Sequence, residues 1–241
     1  MSPGANPGID PDRIAVLAFD ADDTLWRSED SFHAAEVRFC ELLEPHTPAG
    51  IDTMAALAAT ERANLSITGY GVKAFTLSMV EAAVTISEGR VPASVIGELI
   101  EISHEMLTEP VQLLPNVPEV LAAVGPHHRL VLITKGDLVH QTRKITTSGL
   151  EHHFDHIEVV LEKDPATYRR ITTDLGIAPG ELCMVGNSVR SDVLPVLELG
   201  GQAIHVPYHL TWELEEVHDH QMAIVEVESL AAVPELVLNG D

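Results

Sequence analysis

Residues 13–26 read RIAVLAFDADDTLW, and the break in the middle of this stretch decides the fold. The apolar run 14–19 stops abruptly at Asp20, and two more carboxylates, Asp22 and Asp23, follow at once. A run this short, apolar throughout, reads as a strand buried on both faces that opens into a polar loop. Working outward, similar runs recur at 129–134 (RLVLIT), 156–161 (HIEVVL), 182–186 (LCMVG) and 202–206 (QAIHV). Helical spacing fills 138–148, 166–175 and 190–199, with Gly149, Gly176 and Gly200 placed as helix stops. A short last strand is expected at 222–227 and a closing helix at 230–238. Strand and helix alternating at this pitch predict an α/β fold, a doubly wound, Rossmann-like parallel sheet.

One region breaks the alternation. Between 31 and 109 nothing reads as strand, while Ala, Leu, Ile and Glu recur at helical spacing, punctuated by Pro45, Pro48, Gly69, Gly71, Gly89 and Pro92. The expected organisation is therefore a loose tail at 1–12, a Rossmann-like core made of 13–30 and 110–241, and an inserted all-helical domain at 31–109. Residues 27–30 and 110–115 are the candidate hinges.

Composition narrows the function. The 241 residues carry 14 Lys plus Arg against 37 Asp plus Glu, a formal net charge of −23. Such a field repels nucleic-acid backbones and anionic membrane surfaces, so neither is an expected partner. No apolar run approaches the roughly 18 residues that span a bilayer. The start lacks the basic and apolar regions of a signal peptide. The two cysteines, Cys40 and Cys183, fit a reducing compartment, and a cytoplasmic location is expected. Thirteen histidines occur without zinc-ligand spacing.

In open α/β sheets, ligands bind beyond the carboxyl ends of the strands. The first strand delivers Asp20, Asp22, Asp23 and Thr24 there; the second delivers Thr134, Lys135 and Gly136. The third is followed by Lys163, and the fourth by Asn187, Ser188 and Asp192. Carboxylates at i and i+2 can reach one hard cation such as Mg²⁺, which prefers oxygen ligands. A carboxylate beside such a cation can attack phosphorus, and a second can move the proton. Lysines and a hydroxyl can hold the equatorial oxygens. Singly, each residue has a duller reading: Asp23 and Thr24 as turn or cap, Thr134 as a capping hydroxyl, Lys163 as solvated surface, Asp192 as a first-turn acid.

Taken in order, FDADDTLW, LITKG, Lys163 and VGNSVRSD resemble the four motifs of the haloacid dehalogenase superfamily, and the helical insert stands where that family carries its first-type cap. The resemblance implies Asp20 as nucleophile, Asp22 as general acid/base, and Thr134, Lys135 (through its amide) and Lys163 as phosphate-binding groups. It implies Mg²⁺ as cofactor, held by Asp20, the Asp22 carbonyl, Asn187 and Asp192. Asn187 departs from the commoner Asp and removes a charge from the metal site; Lys135 departs from a frequent Asn and adds a cation beside the phosphate. The implied activity is hydrolysis of a small phosphorylated metabolite through an aspartyl-phosphate. A phosphomutase and a non-catalytic phosphate-ligand-binding protein stay open, as do the substrate and the oligomeric state. Asp22 argues against dehalogenation, and Lys73, the one lysine of the insert, would have to serve as the Schiff-base lysine in phosphonate cleavage.

Overall fold

The computed structural model describes residues 8–215, 217 and 220–238. The expected loose tail falls outside these residues at 1–7. Its remainder is ordered: Pro11–Arg13 form a 3-10 turn. The Asp10 N–H donates to Gln202 Oε1 at 2.6 Å, and the Asp10 carbonyl accepts from Gln202 Nε2 at 3.1 Å. The buried Gln202 amide needs both partners, and this ties the chain down from residue 10 onward.

The apolar runs become strands β1 (Val16–Phe19), β2 (Arg129–Lys135), β3 (His156–Val160), β4 (Leu182–Gly186), β5 (Gln202–His205) and β6 (Val225–Glu226). They form one parallel sheet in the order β3-β2-β1-β4-β5-β6. The chain leaves β1 toward β2 and β3, then returns to place β4 on the other side of β1. Ligand crevices open at such a reversal, here between β1 and β4. The last strand is shorter than its pattern suggested, since only Val225 and Glu226 pair with β5.

Residues 28–110 form four α-helices: α1 (Glu29–Leu43), α2 (Thr53–Thr68), α3 (Val72–Ile86) and α4 (Ala93–Thr108). After them come α5 (Val117–Val124), α6 (Leu138–Ser148), α7 (Pro165–Leu175), α8 (Leu194–Glu198) and α9 (Val233–Val237). The chain divides into two compact units. One comprises Met1–Arg27, Val111–Lys135 and Thr142–Asp241; the other comprises Ser28–Pro110 with Gly136–Gln141.

In the sheet unit the period of two along β1 sorts side chains to opposite faces. Leu17 and Phe19 enter one core with Val120, Leu121, Ile145 and Val233, from α5, α6 and α9. Val16 and Ala18 enter another with Tyr168, Ile171 and Val196, from α7 and α8. Helices on both faces explain why β1 is apolar throughout rather than alternating. The helical unit has its own core, built on Phe39, Leu57, Phe75, Met79, Leu99 and Ile102, with Phe32 edge-on to Phe75 at 5.3 Å. Asp52 caps α2 by accepting from the Ala55 N–H at 3.0 Å.

The segment expected as one helix at 190–199 is instead a π-helical turn, Val189–Val193, followed by α8. Pro195 explains the break. It has no N–H to offer the Ser191 carbonyl, and that carbonyl instead accepts the Tyr168 hydroxyl at 2.9 Å. Single π turns occur often at functional sites.

Candidate active site

The strand register brings the expected residues to one edge. Phe19 lies level with Leu132 on β2 and Val185 on β4, so Asp20, Thr134 and Asn187 emerge within two residues of one another. Lys135 is level with Val160 on β3, and Lys163 follows shortly after it.

Asp20, Lys163 and Asp192 are buried, and the lysine joins the two acids. Lys163 Nζ donates to Asp20 Oδ1 and to Asp192 Oδ1, the latter at 2.6 Å. Asp192 Oδ2 accepts the Ser188 N–H at 3.0 Å. Burial raises the Asp20 carboxyl to about 7 against the opposing pull of Lys163, and the charge of Asp192 adds to the rise. Burial alone would lower Lys163, but Asp192 and Asp20 more than offset it and keep the ammonium charged.

Gly186 makes room for this arrangement. A Cβ placed there would stand 2.2 Å from Asp192 Oδ2 and 2.3 Å from Cγ, so only glycine lets the carboxylate turn in under the end of β4. Asp23 takes the turn role among its open readings: its φ is 63°, and its N–H donates to the Trp26 carbonyl at 2.7 Å. Thr24, whose duller reading was a cap, reaches into the site. Its Oγ1 donates to Asp20 Oδ2 at 3.1 Å and accepts the Asn187 N–H at 3.1 Å.

One amide atom of Asn187 sits 3.1 Å from Asp20 Oδ2, 3.1 Å from the Asp22 carbonyl oxygen and 3.2 Å from Thr24 Oγ1. With nitrogen in that place, the amide donates to all three. With oxygen there, that atom stands 3.1 Å from both Asp20 Oδ2 and the Asp22 carbonyl oxygen, a spacing that a bound cation would bridge. The edge of a Mg²⁺–oxygen octahedron with bonds of about 2.0–2.1 Å is about 3 Å. The donor set of carboxylate, carbonyl and amide oxygens therefore fits Mg²⁺. Among the described residues no three or more His, Cys, Asp or Glu side chains are grouped to hold a metal by themselves, so main-chain and amide oxygens would have to complete the set.

The Asp22 side chain has two donors of its own. Its Oδ1 accepts Trp26 Nε1 at 2.6 Å and Lys144 Nζ at 2.5 Å. Thr134 is buried at the end of β2, with its Oγ1 3.4 Å from the Lys135 carbonyl. The Lys135 ammonium, expected beside the phosphate, is engaged by Glu215 Oε1 at 2.5 Å and Ser191 Oγ at 2.9 Å, with Glu162 Oε1 at 3.5 Å. Burial would raise the Glu215 carboxyl, but Lys135 and the hydroxyls of Ser188 and Ser191 bring it below its usual value. His205 Nε2 lies 3.0 Å from the Asn187 carbonyl, and Nδ1 lies 2.9 Å from Glu226.

Lys144, Trp26, Glu215 and His205 were not singled out from sequence. Lysine scarcity was the available signal. The chain has four lysines, Lys73, Lys135, Lys144 and Lys163, and the last three gather at this edge of the sheet.

The haloacid dehalogenase-like hydrolase family matches residues 14–200. The chain is 34% identical over 101 residues to phosphoserine phosphatase of Thermus thermophilus, and 29% identical over 96 residues to mouse N-acylneuraminate-9-phosphatase. These matches span 38% of this chain in both cases, and 41% and 39% of those two proteins. A solved haloacid dehalogenase-like hydrolase from Xanthomonas campestris superposes with a TM-score of 0.83 at 42% identity, covering 93% of this chain and 91% of that one. With its motifs gathered at the reversal of a parallel sheet, the chain belongs to the haloacid dehalogenase-like hydrolases.

Proposed function

We propose that this chain is a Mg²⁺-dependent phosphohydrolase that releases inorganic phosphate from a small phosphorylated metabolite by way of Asp20. The observation that carries the reading is the buried Asp20–Lys163–Asp192 cluster with the Asn187 amide beside it. Asp20, the Asp22 carbonyl, Asn187 and Asp192 would hold the Mg²⁺. When bound, the ion would neutralise the phosphoryl oxygens and the crowded carboxylates.

In this reading an Asp20 carboxylate oxygen attacks phosphorus, the bond to the leaving oxygen breaks, and the phosphoryl group rests on Asp20. Asp22 gives its proton to the leaving oxygen, then takes one from the water that attacks the phosphoryl-aspartate and restores Asp20. Thr134, the Lys135 amide and Lys163 hold the equatorial oxygens. Lys163 also keeps Asp20 and Asp192 from repelling each other. Residues 31–109 act as a cap that selects substrate and excludes bulk water.

The names of the two curated relatives, a phosphoserine phosphatase and an N-acylneuraminate-9-phosphatase, support a phosphate monoester as substrate. Phosphonate cleavage is disfavoured by Lys73, whose ammonium is held by both carboxylate oxygens of Asp137 at 3.0 Å. The test is phosphate release from a panel of phosphorylated metabolites with Mg²⁺ or with EDTA. Turnover should require Mg²⁺ and vanish in Asp20→Asn, while transfer of phosphate within one molecule without release would favour a mutase.

A further inference from the structure

The loop between β5 and β6 sends one side chain, Glu215, into the exits of two other strands. Its carboxylate is only 13% exposed. Oε1 accepts from Lys135 Nζ at 2.5 Å, and Oε2 accepts from Ser188 Oγ at 2.5 Å and Ser191 Oγ at 2.6 Å. The partners also bond to one another: Lys135 Nζ donates to Ser191 Oγ at 2.9 Å, and Ser188 Oγ accepts the Ser191 N–H at 3.0 Å.

Each anchor is a direct chain neighbour of a residue in the candidate site. Lys135 follows Thr134, Ser188 follows Asn187, and Ser191 precedes Asp192. Lys135 leaves β2 and the serines follow β4, two strands that flank β1 and do not pair with each other. The two exits meet directly at one point, Lys135 Nζ to Ser191 Oγ, and the Glu215 carboxylate closes that contact into a network by binding both sides of it. A charged, largely buried bridge over that gap fixes loop geometry more firmly than an exposed ion pair could.

We propose that Glu215 is a positioning residue, which ties the exits of β2 and β4 together and so holds Thr134, Asn187 and Asp192 in their working places. The inference rests on the phosphohydrolase reading for what those places do. It also gives the Lys135 side chain a role distinct from contact with phosphate: its ammonium is the far end of the tie.

The test uses the full chain with Glu215→Ala, Glu215→Gln, Lys135→Met and the double variant Lys135→Met/Glu215→Gln. The readouts are kcat and KM for an aryl phosphate with Mg²⁺, binding of inorganic phosphate with Mg²⁺ by calorimetry, and thermal unfolding. Glu215→Ala should lower kcat and weaken phosphate binding by about tenfold or more, as expected when directly coupled groups are separated. Glu215→Gln and Lys135→Met each cut the same tie, so the double variant should lose little more than the worse of the two single variants. Glu215→Ala within about twofold of the parent in both readouts, or faster than it, would overturn the proposal, as would single losses that simply multiply. A parent that binds phosphate but turns over no ester removes the phosphohydrolase reading alone, and the cycle on binding then decides the tie. A parent that does neither removes both.

Discussion

Gly186 and Asp192 illustrate how a single position can set the chemistry. Asp192 reaches Lys163 because nothing stands on the Gly186 α-carbon, and a methyl there would need the space its carboxylate occupies. Gly186→Ala should therefore push Asp192 out of line rather than merely crowd the core. We expect about 1–3 kcal/mol of lost stability, as for other overpacked sites, together with loss of turnover. Chemical denaturation and phosphate release measure the two separately, and retained turnover would show that the Asp192 geometry is dispensable. At this scale the sequence was informative where a residue sits at a strand exit. Asp20, Thr134, Lys163, Asn187 and Asp192 are all marked that way. It was silent on Lys144, Trp26 and Glu215, which reach the site from a helix face, a turn and a distant loop. Their contribution depends on side-chain direction in three dimensions, and no spacing rule carries that. Lys135 lay between the two cases. Its place was legible, but the destination of its ammonium was not, because that depends on Glu215.

Among the elements, the strands were the most legible, because burial on both faces of a parallel sheet forces continuous apolar runs. Gly176 also stands where a helix stop was expected, with φ 74° and its N–H closing α7 on the Thr172 and Thr173 carbonyls. The segment from 190 to 199 was less legible. Its apolar spacing suited one helix, and the π turn arises from Pro195 and from the Tyr168 hydroxyl that occupies the Ser191 carbonyl. This makes Tyr168 a support for the turn that carries Asp192. Tyr168→Phe would leave the Ser191 carbonyl without that donor in a buried place, at a cost of about 1–3 kcal/mol. A fall in unfolding free energy of this size, with weaker Mg²⁺ binding by calorimetry, is the expected outcome. An unchanged denaturation midpoint would mean that the hydroxyl does not hold the turn.

For the whole molecule, the charge of −23 poses a difficulty for any enzyme of phosphate esters, since the surface repels the substrate. The chain answers by concentration: three of its four lysines lie at one edge of the sheet, each bonded to an acid. The two compact units each have a core of their own, and the helical insertion was visible as a stretch without strands. What the insertion recognises was not visible, because specificity depends on side chains whose arrangement no periodicity encodes. If it acts as a cap, replacing residues 31–109 with a short Gly/Ser linker should preserve the circular-dichroism signature of the sheet and the hydrolysis of small aryl phosphates. Discrimination among phosphorylated metabolites should collapse, and unchanged discrimination would remove the specificity role.

The central claim is that Asp20 carries the phosphoryl group. It is tested most directly by acid-quenching the enzyme during turnover of an aryl phosphate with Mg²⁺ and mapping the peptides by mass spectrometry. The account predicts a phosphoryl adduct on the peptide containing Asp20, formed within the time of one turnover and absent from Asp20→Asn. Turnover with no adduct at any quench time, or an adduct that persists in Asp20→Asn, would contradict it.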